Sequence, residues 1–237
     1  MRRFLPLILL AAFAGACRRP APLSAPAPAG LDVAGPDSFT VRLTTTRGAF
    51  DVKVHRDWSP RGADRIYWLV NHRFYDGVRF FRVVPNFVVQ FGMHGDTAVN
   101  RAWKDRRFPD DTVKRGNVRG TLSFATGGAN TRTTQLFINL KDNQRLDPLG
   151  FSVVGQVVAG MGVVDSLHRG YGDGPPRGKG PSQETIARQG EAYLAREFPQ
   201  LDKIVTARVV SSCSTSRHPP FLTARRTPSP RAPTGRP

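Results

Sequence analysis

The chain has 237 residues, of which 39% are hydrophobic, and its 35 Lys and Arg against 18 Asp and Glu give a formal net charge of +17 at pH 7. Residues 1–30 hold four arginines, residues 211–237 hold five, and neither segment has an acidic residue, so the residues between them carry only +8. That central part has no basic stripe interleaved with aromatic residues, which argues against specific nucleic-acid binding, and no apolar run after residue 17 is long enough for a membrane-spanning helix.

The first 17 residues have the pattern of a secretory signal. Met1-Arg2-Arg3 is positively charged, residues 4–13 are mostly apolar, and small residues lead to Cys17. Small residues before a cysteine resemble a bacterial lipobox, although Ala14 stands where that pattern prefers Leu. The resemblance implies that Cys17 becomes the acylated first residue of the mature protein. Plain secretion with a free thiol is the alternative.

The composition divides the rest of the chain into three parts. Residues 18–37 are rich in Pro and Ala and are predicted to form an extended tether. Residues 38–210 are predicted to form one domain, and residues 211–237 a disordered basic tail. Cys17 and Cys213 both lie outside that domain, so a structural disulfide within it is excluded. With a lipid on Cys17, we expect an exported protein anchored on the periplasmic side of a bacterial membrane.

The domain begins with a predicted β-hairpin. Apolar and polar residues alternate over 39–45 and 50–55, with Arg47-Gly48 between the two runs, so one face of the hairpin should lie in a core. Ser59-Pro60 then predicts the start of a helix, because a capping residue precedes proline at the first helical position.

Short strand-like runs follow, at residues 79–84, 87–91, 120–126, 136–140 and 153–158. Helices are predicted after Gly160 and from Ser182, with the Gly-rich stretch 172–180 as a linker before Ser182. Asp202–Val210 alternates again and is predicted to be the closing strand. Many short strands with few helices indicate a sandwich or a closed barrel, and a barrel removes its edges by joining its first and last strands.

Two segments carry motifs. Residues 80–92 are FFRVVPNFVVQFG, and residues 120–139 contain GTLSFA, then NT at 130–131, then QLFIN. Both segments resemble the cyclophilins, and Leu146-Asp147, residues 155–157 and residues 160–165 resemble later landmarks of that family. The resemblance covers about residues 39–210. It implies a mainly β fold, a closed antiparallel eight-stranded cyclophilin-like barrel capped by helices, and peptidyl-prolyl cis-trans isomerase activity.

An X–Pro bond rotates over a barrier of about 18–20 kcal/mol because twisting breaks amide resonance. The twisted state leaves a lone pair on the proline nitrogen, which a charged side chain with several donors would favour over the planar state. Arg82 is the candidate, and the resemblance implies that it is the catalytic arginine. The reaction needs no metal, cofactor or nucleophile, and none is expected.

Arg82 lies on a predicted strand with Phe81 and Val83 pointing into the core. If the loop is Pro85, Asn86 and Phe87, Arg82 faces Gln90 across the hairpin with Val88 beside them. A two-residue loop would instead pair Arg82 with Val89. In the first case Gln90 can orient the guanidinium and hydrogen-bond the substrate backbone.

The proline ring needs an apolar slot, and the family resemblance implies which residues form it. Phe87, Phe137 and Leu146 match the pocket positions, with Val88 at the edge. Phe151 resembles the bacterial form of the family, since the best-known eukaryotic members have a His nearby. The backbone of Ala125 and Thr126 should hold the residue before the proline.

One difference from the family pattern concerns inhibition by cyclosporin. The best-known eukaryotic members have Trp where this chain has Arg145, and that Trp governs cyclosporin binding, so we expect weak inhibition here. The predicted partners are proline-containing polypeptides of exported or unfolded proteins, and the protein is expected to be a monomer. The alternative is a cyclophilin-like peptide-binding module or holdase with little isomerase activity.

Overall fold

The computed structural model describes residues 23–24, 31 and 33–213. This part of the chain holds eight strands: β1 (Ser38–Thr45), β2 (Gly48–His55), β3 (Arg82–Val84), β4 (Val88–Phe91), β5 (Thr121–Phe124), β6 (Leu136–Asn139), β7 (Val153–Ala159) and β8 (Ile204–Cys213). It also holds four α-helices, α1 (Pro60–Asn71), α2 (Thr97–Trp103), α3 (Met161–Asp165) and α4 (Gln183–Glu197), and a 3-10 turn at Gln144–Leu146. Across these residues, no helix has the length and apolar character that crossing a membrane requires.

All eight strands belong to one antiparallel sheet in the order β3-β4-β6-β5-β7-β2-β1-β8. The predicted hairpin is confirmed as β1 and β2, with Phe39, Val41 and Leu43 buried on one face. The first and last strands meet as expected, because β8 pairs with β1. β8 extends to Cys213, three residues beyond the predicted end at Val210, since Ser38–Thr40 pairs with it there.

The expected closed barrel is wrong, because the sheet is an open half-barrel whose edge strands are β3 and β8. In the described residues, the chain before β3 meets the start of β8 through the single bridge Arg79↔Lys203. Hydrogen bonds from Phe80 N to Asp202 O and from Ile204 N to Val78 O flank this bridge. β3 itself is only three residues long, so it offers too short a ladder to continue the pairing.

Three apolar clusters lie in the described residues, and two of them pack near the strand that carries Arg82. The main core packs α1 against the concave face of the sheet and includes Phe80 and Val83. Phe81 was predicted to point into this core, but it packs with four residues of the α4 region: Ile186, Leu194, Phe198 and Leu201. The reason is that residues 79–81 precede β3 and do not follow strand alternation.

The sequence patterns did not predict two features of the fold. Helix α2 was not predicted, although Asp96 caps it by accepting a hydrogen bond from Ala98 N. In the predicted tether, Leu23 and Leu31 pack against the core, and the Leu23 carbonyl accepts from Trp103 Nε1 at 2.9 Å. The apolar side chains among the Pro and Ala residues therefore bring parts of this stretch onto the domain.

Helix α1 begins at Pro60 as predicted, but its cap comes from a distant loop. The Ser59 side chain makes no capping bond to the helix. Asp111 instead accepts from the backbone N–H groups of Arg61 at 3.1 Å and Gly62 at 2.9 Å, and from the Ser59 hydroxyl. The same carboxylate lies 3.2 Å from Nη2 of Arg132, whose side chain is 2% exposed.

We predict that Asp111→Ala lowers the free energy of unfolding by about 3 kcal/mol, because it removes a helix cap and one partner of a buried arginine. Urea unfolding followed by circular dichroism measures this. Asp51→Ala is the control, since Asp51 pairs with Arg42, whose side chain is 54% exposed. Equal unfolding midpoints for Asp111→Ala and the parent would contradict the assignment of Asp111.

Candidate active site

The register of the β3–β4 hairpin brings the two predicted catalytic residues together. Residues 85–87 form a three-residue loop, and Arg82 lies opposite Gln90. The guanidinium Nη1 donates to Gln90 Oε1 at 3.1 Å. The two-residue alternative is wrong, because Val83 is the residue that faces Val89.

Gln90 is itself held by the next strand. It lies opposite Phe137 on β6, it is buried, and its Nε2 donates to Gln135 Oε1 at 2.8 Å. This contact fixes which end of the amide faces Arg82. Gln135 was not singled out from the sequence, although it begins the QLFIN run.

An apolar pocket lies beside Arg82. Val88, Phe137 and Leu146 are buried together, and Phe87, Ala125 and Phe151 pack against them. The Phe151 ring meets Phe137 edge to face with ring centroids 5.6 Å apart. A cavity of about 700 Å³ opens here, and its lining includes all nine predicted residues of the catalytic and substrate-binding set: Arg82, Phe87, Val88, Gln90, Ala125, Thr126, Phe137, Leu146 and Phe151.

A buried polar network supports the rim of this pocket. Asn143 Nδ2 donates to the Phe87 carbonyl at 2.9 Å and to Asn139 Oδ1 at 2.8 Å. Asn117 Nδ2 donates to the Phe151 carbonyl at 2.8 Å. Both aromatic rings of the rim are therefore fixed through their backbones by asparagines that the motifs did not single out.

Ala125 and Thr126, which directly follow β5, already make hydrogen bonds within the protein. The Ala125 N–H donates to the Gln135 carbonyl at 2.9 Å, so it is engaged within the protein. The Thr126 hydroxyl contacts Thr131 Oγ1 at 2.8 Å and also the Gly128 carbonyl, inside its own turn. The Ala125 N–H and the Thr126 hydroxyl are therefore both engaged within the protein.

Positive charge surrounds the pocket. The Arg82 and Arg145 guanidinium carbons lie 5.5 Å and 4.9 Å from the Phe87 ring centroid. Arg177 also lines the cavity. Among the described residues that line the cavity, Asp173 is the one acidic residue, and it pairs with Arg82.

Asp173 lies in the predicted linker, which is confirmed as the loop between α3 and α4, and no sequence pattern indicated that this loop borders the pocket. Five loop residues line the same cavity as the apolar pocket: Asp173, Gly174, Pro175, Pro176 and Arg177. Asp173 Oδ1 accepts from Arg82 Nε at 2.7 Å and Oδ2 accepts from Nη2 at 3.0 Å. Spacing gave no signal for this contact, since the two residues are 91 positions apart.

Comparisons with known proteins identify the family of the chain. Residues 40–188 match the family model described as cyclophilin type peptidyl-prolyl cis-trans isomerase/CLD. A peptidyl-prolyl cis-trans isomerase of Acinetobacter baylyi is 32% identical over 54% of this chain and 70% of its own length. The peptidyl-prolyl cis-trans isomerase-like 3 of Homo sapiens is 30% identical over 55% of this chain and 83% of its own length.

Solved structures show the same fold. A cyclophilin type peptidyl-prolyl cis-trans isomerase of Cryptosporidium parvum matches with a TM-score of 0.55 at 19% identity, covering 74% of this chain and 99% of its own. A second structure of that protein, in the presence of the dipeptide Ala-Pro, matches with a TM-score of 0.54 at 18% identity over 73% of this chain and 99% of its own. The chain thus belongs to the cyclophilin-type peptidyl-prolyl cis-trans isomerases and catalyses rotation about X–Pro bonds.

Proposed function

We propose that Arg82 stabilises the twisted X–Pro amide while the proline ring occupies the pocket formed by Val88, Phe137 and Leu146. The observation that carries this proposal is the position of the Arg82 guanidinium, which borders the same cavity as that pocket. No bond is broken and no proton is moved, so the side chains act only by holding and by electrostatics.

The twisted state differs from the planar one at the proline nitrogen, which becomes pyramidal and gains a lone pair. A guanidinium N–H beside this nitrogen is a better partner for the lone pair than for a planar amide nitrogen. The interaction therefore strengthens as the bond twists, which is the condition for lowering the barrier rather than only tightening binding.

The remaining residues hold the peptide. The apolar ring is removed from water by Phe137 and its neighbours, and the edge at Ala125 and Thr126 pairs with the residue before proline. Gln90 keeps Arg82 in place through its Oε1. A peptide-binding module or holdase with little isomerase activity is not favoured, because the relatives matched by this chain are named as isomerases.

We also propose that the enzyme is exported, carries a lipid on Cys17 and acts on exported proteins at the periplasmic side of a bacterial membrane. The charged start, the apolar residues 4–13 and the small residues before Cys17 support this proposal. Cys17 lies outside the described residues. The contacts of Leu23 and Leu31 with the core would keep the domain close to such an anchor.

We predict that Arg82→Ala lowers kcat/KM on a proline tetrapeptide by about 100-fold or more, the loss typical of removing one preorganised donor from a transition state. Protease-coupled or NMR exchange assays of the full chain measure this. Arg42→Ala is the matched control, because Arg42 is also a strand arginine in a two-bond pair with an aspartate, on β1. An Arg82→Ala variant as active as the parent would leave the isomerase activity in place but refute the proposed mechanism.

We predict that Arg145→Trp increases the affinity for cyclosporin about tenfold or more over a weakly inhibited parent, since a large rigid aromatic would replace a charged side chain beside Phe87. Inhibition curves for the parent, Arg145→Trp and Arg145→Ala measure the effect. Arg145→Ala separates the gain of the indole from the loss of the charge. Unchanged inhibition of the Trp variant would show that other residues exclude the drug.

We predict that the full-length protein expressed in a Gram-negative host fractionates with membranes and incorporates labelled palmitate, and that Cys17→Ser abolishes both. Cys213→Ser is the control, because it removes the other cysteine, which is exposed at the end of β8. A parent found in the soluble periplasmic fraction without label would support plain secretion instead.

A further inference from the structure

The stretch between α3 and α4 places a carboxylate directly on the arginine assigned to catalysis. Asp173 accepts two hydrogen bonds from Arg82, from Nε at 2.7 Å and from Nη2 at 3.0 Å. The pair is shielded from solvent, with the Arg82 side chain 15% and the Asp173 side chain 23% exposed. This two-bond geometry fixes the plane of the guanidinium as well as its position.

These contacts leave some of the N–H donors of the Arg82 guanidinium available to the substrate. A guanidinium has five N–H donors. Three of them are engaged, two with Asp173 and one with Gln90. Two N–H groups, one on each Nη nitrogen, have no partner among the described residues, and the Phe87 ring lies 5.5 Å from the guanidinium carbon. The side chain is thus held by Asp173, Gln90 and Phe87 before any peptide arrives.

The carboxylate is held as firmly as the arginine. Gly174 N donates to Asp173 Oδ1 at 2.9 Å, and Gly180 N donates to the Asp173 carbonyl at 2.8 Å. A Cβ atom at Gly178 would overlap that carbonyl oxygen, so the turn closes this tightly only with glycine there. The hydrogen bond from Arg82 holds the pKa of the Asp173 carboxyl below its ordinary value, so it is ionised at neutral pH.

Packing links this loop to the strand that carries Arg82. The loop leads into α4, which begins at Gln183 with Ser182 as its cap. Ile186 and Leu194 of α4 bury Phe81, the chain neighbour of Arg82. The loop, α4 and the start of β3 therefore form one packed unit. If the substrate had to displace this loop in order to reach Arg82, the loop would need to be loosely packed, and it is not.

We propose that Asp173 is a positioning residue for the isomerase reaction, which orients Arg82 so that its two remaining N–H groups face the substrate. The proposal rests on the catalytic role assigned to Arg82 above. An unpaired arginine has many rotamers, and fixing it beforehand removes the entropy cost of ordering it in the transition state. Loss of this orientation affects the twisted state and leaves the proline pocket unchanged.

The test uses Asp173→Asn and Asp173→Ala in the full chain, with Asp51→Asn as the matched control at the Arg42 pair, whose two bonds are both 2.8 Å. We expect Asp173→Ala to lower kcat about tenfold while KM changes less than twofold, the split that misplacement of a transition-state group produces. Asp173→Asn, which keeps an acceptor oxygen but not the charge, should fall between Asp173→Ala and the parent. Unfolding midpoints confirm that each variant is folded.

Two further measurements separate positioning from a general effect of the loop. In an Arg82→Ala background, Asp173→Ala should lower kcat no further, because the two residues act as one unit. By NMR, the Arg82 Nε–H signal should be protected from exchange in the parent and lose that protection in Asp173→Ala, while the Arg42 signal is unchanged.

Several outcomes would overturn the proposal. A kcat/KM above that of the parent in Asp173→Asn would show that the carboxylate competes with substrate for Arg82. A kcat of Asp173→Ala equal to that of the parent would show that Gln90 and Phe87 are enough to orient Arg82. An equal loss in both backgrounds would assign Asp173 a structural role. If Arg82→Ala were itself fully active, the proposed function of Arg82 would fail first, and that result is distinct from the other three.

Discussion

The site depends on the register of one short hairpin. Side chains alternate between the two faces of a strand, so a one-residue slip between β3 and β4 would turn Arg82 away from Gln90. The loop of residues 85–87 sets that register, and β4 then pairs with β6 so that Gln90 meets Phe137. Neighbouring strands thus form the site. The Arg82 guanidinium borders the apolar pocket because Arg82 and the pocket residues of β4 and β6 face the same side of the sheet.

Features encoded within a short stretch could be predicted from the sequence. The pairing of Arg82 with Gln90 followed from loop length, and Phe137 and Leu146 were placed by their motifs. Contacts across long separations could not be predicted. Asp111 caps a helix 49 residues away, and Asp173 reaches Arg82 across 91. Each joins a loop to an element through the whole fold, and no periodicity or spacing marks such a partner.

The prediction of a closed barrel was wrong for a related reason, because closure also depends on contacts between distant parts of the chain. Alternation along the chain shows which face of a strand is buried, but it does not show how many residues pair at an edge. The strand-like run at residues 79–84 predicted a longer third strand, whereas residues 79–81 lie outside β3 and Phe81 packs under α4. Through Phe81, this segment packs α4 against the start of the strand that carries Arg82.

Arg82 can pair with a carboxylate and still stabilise the twisted amide as proposed. A peptide that fills the apolar pocket also removes water from the guanidinium beside it, and an unpaired charge loses much solvation when this happens. Asp173 reduces that loss by supplying a fixed partner inside the cleft. The twisted amide needs a donor aimed at a lone pair, and a paired guanidinium still donates through its free N–H groups. Arg145 and Arg177 also line the cavity, so positive charge stays beside the pocket even though Arg82 is paired.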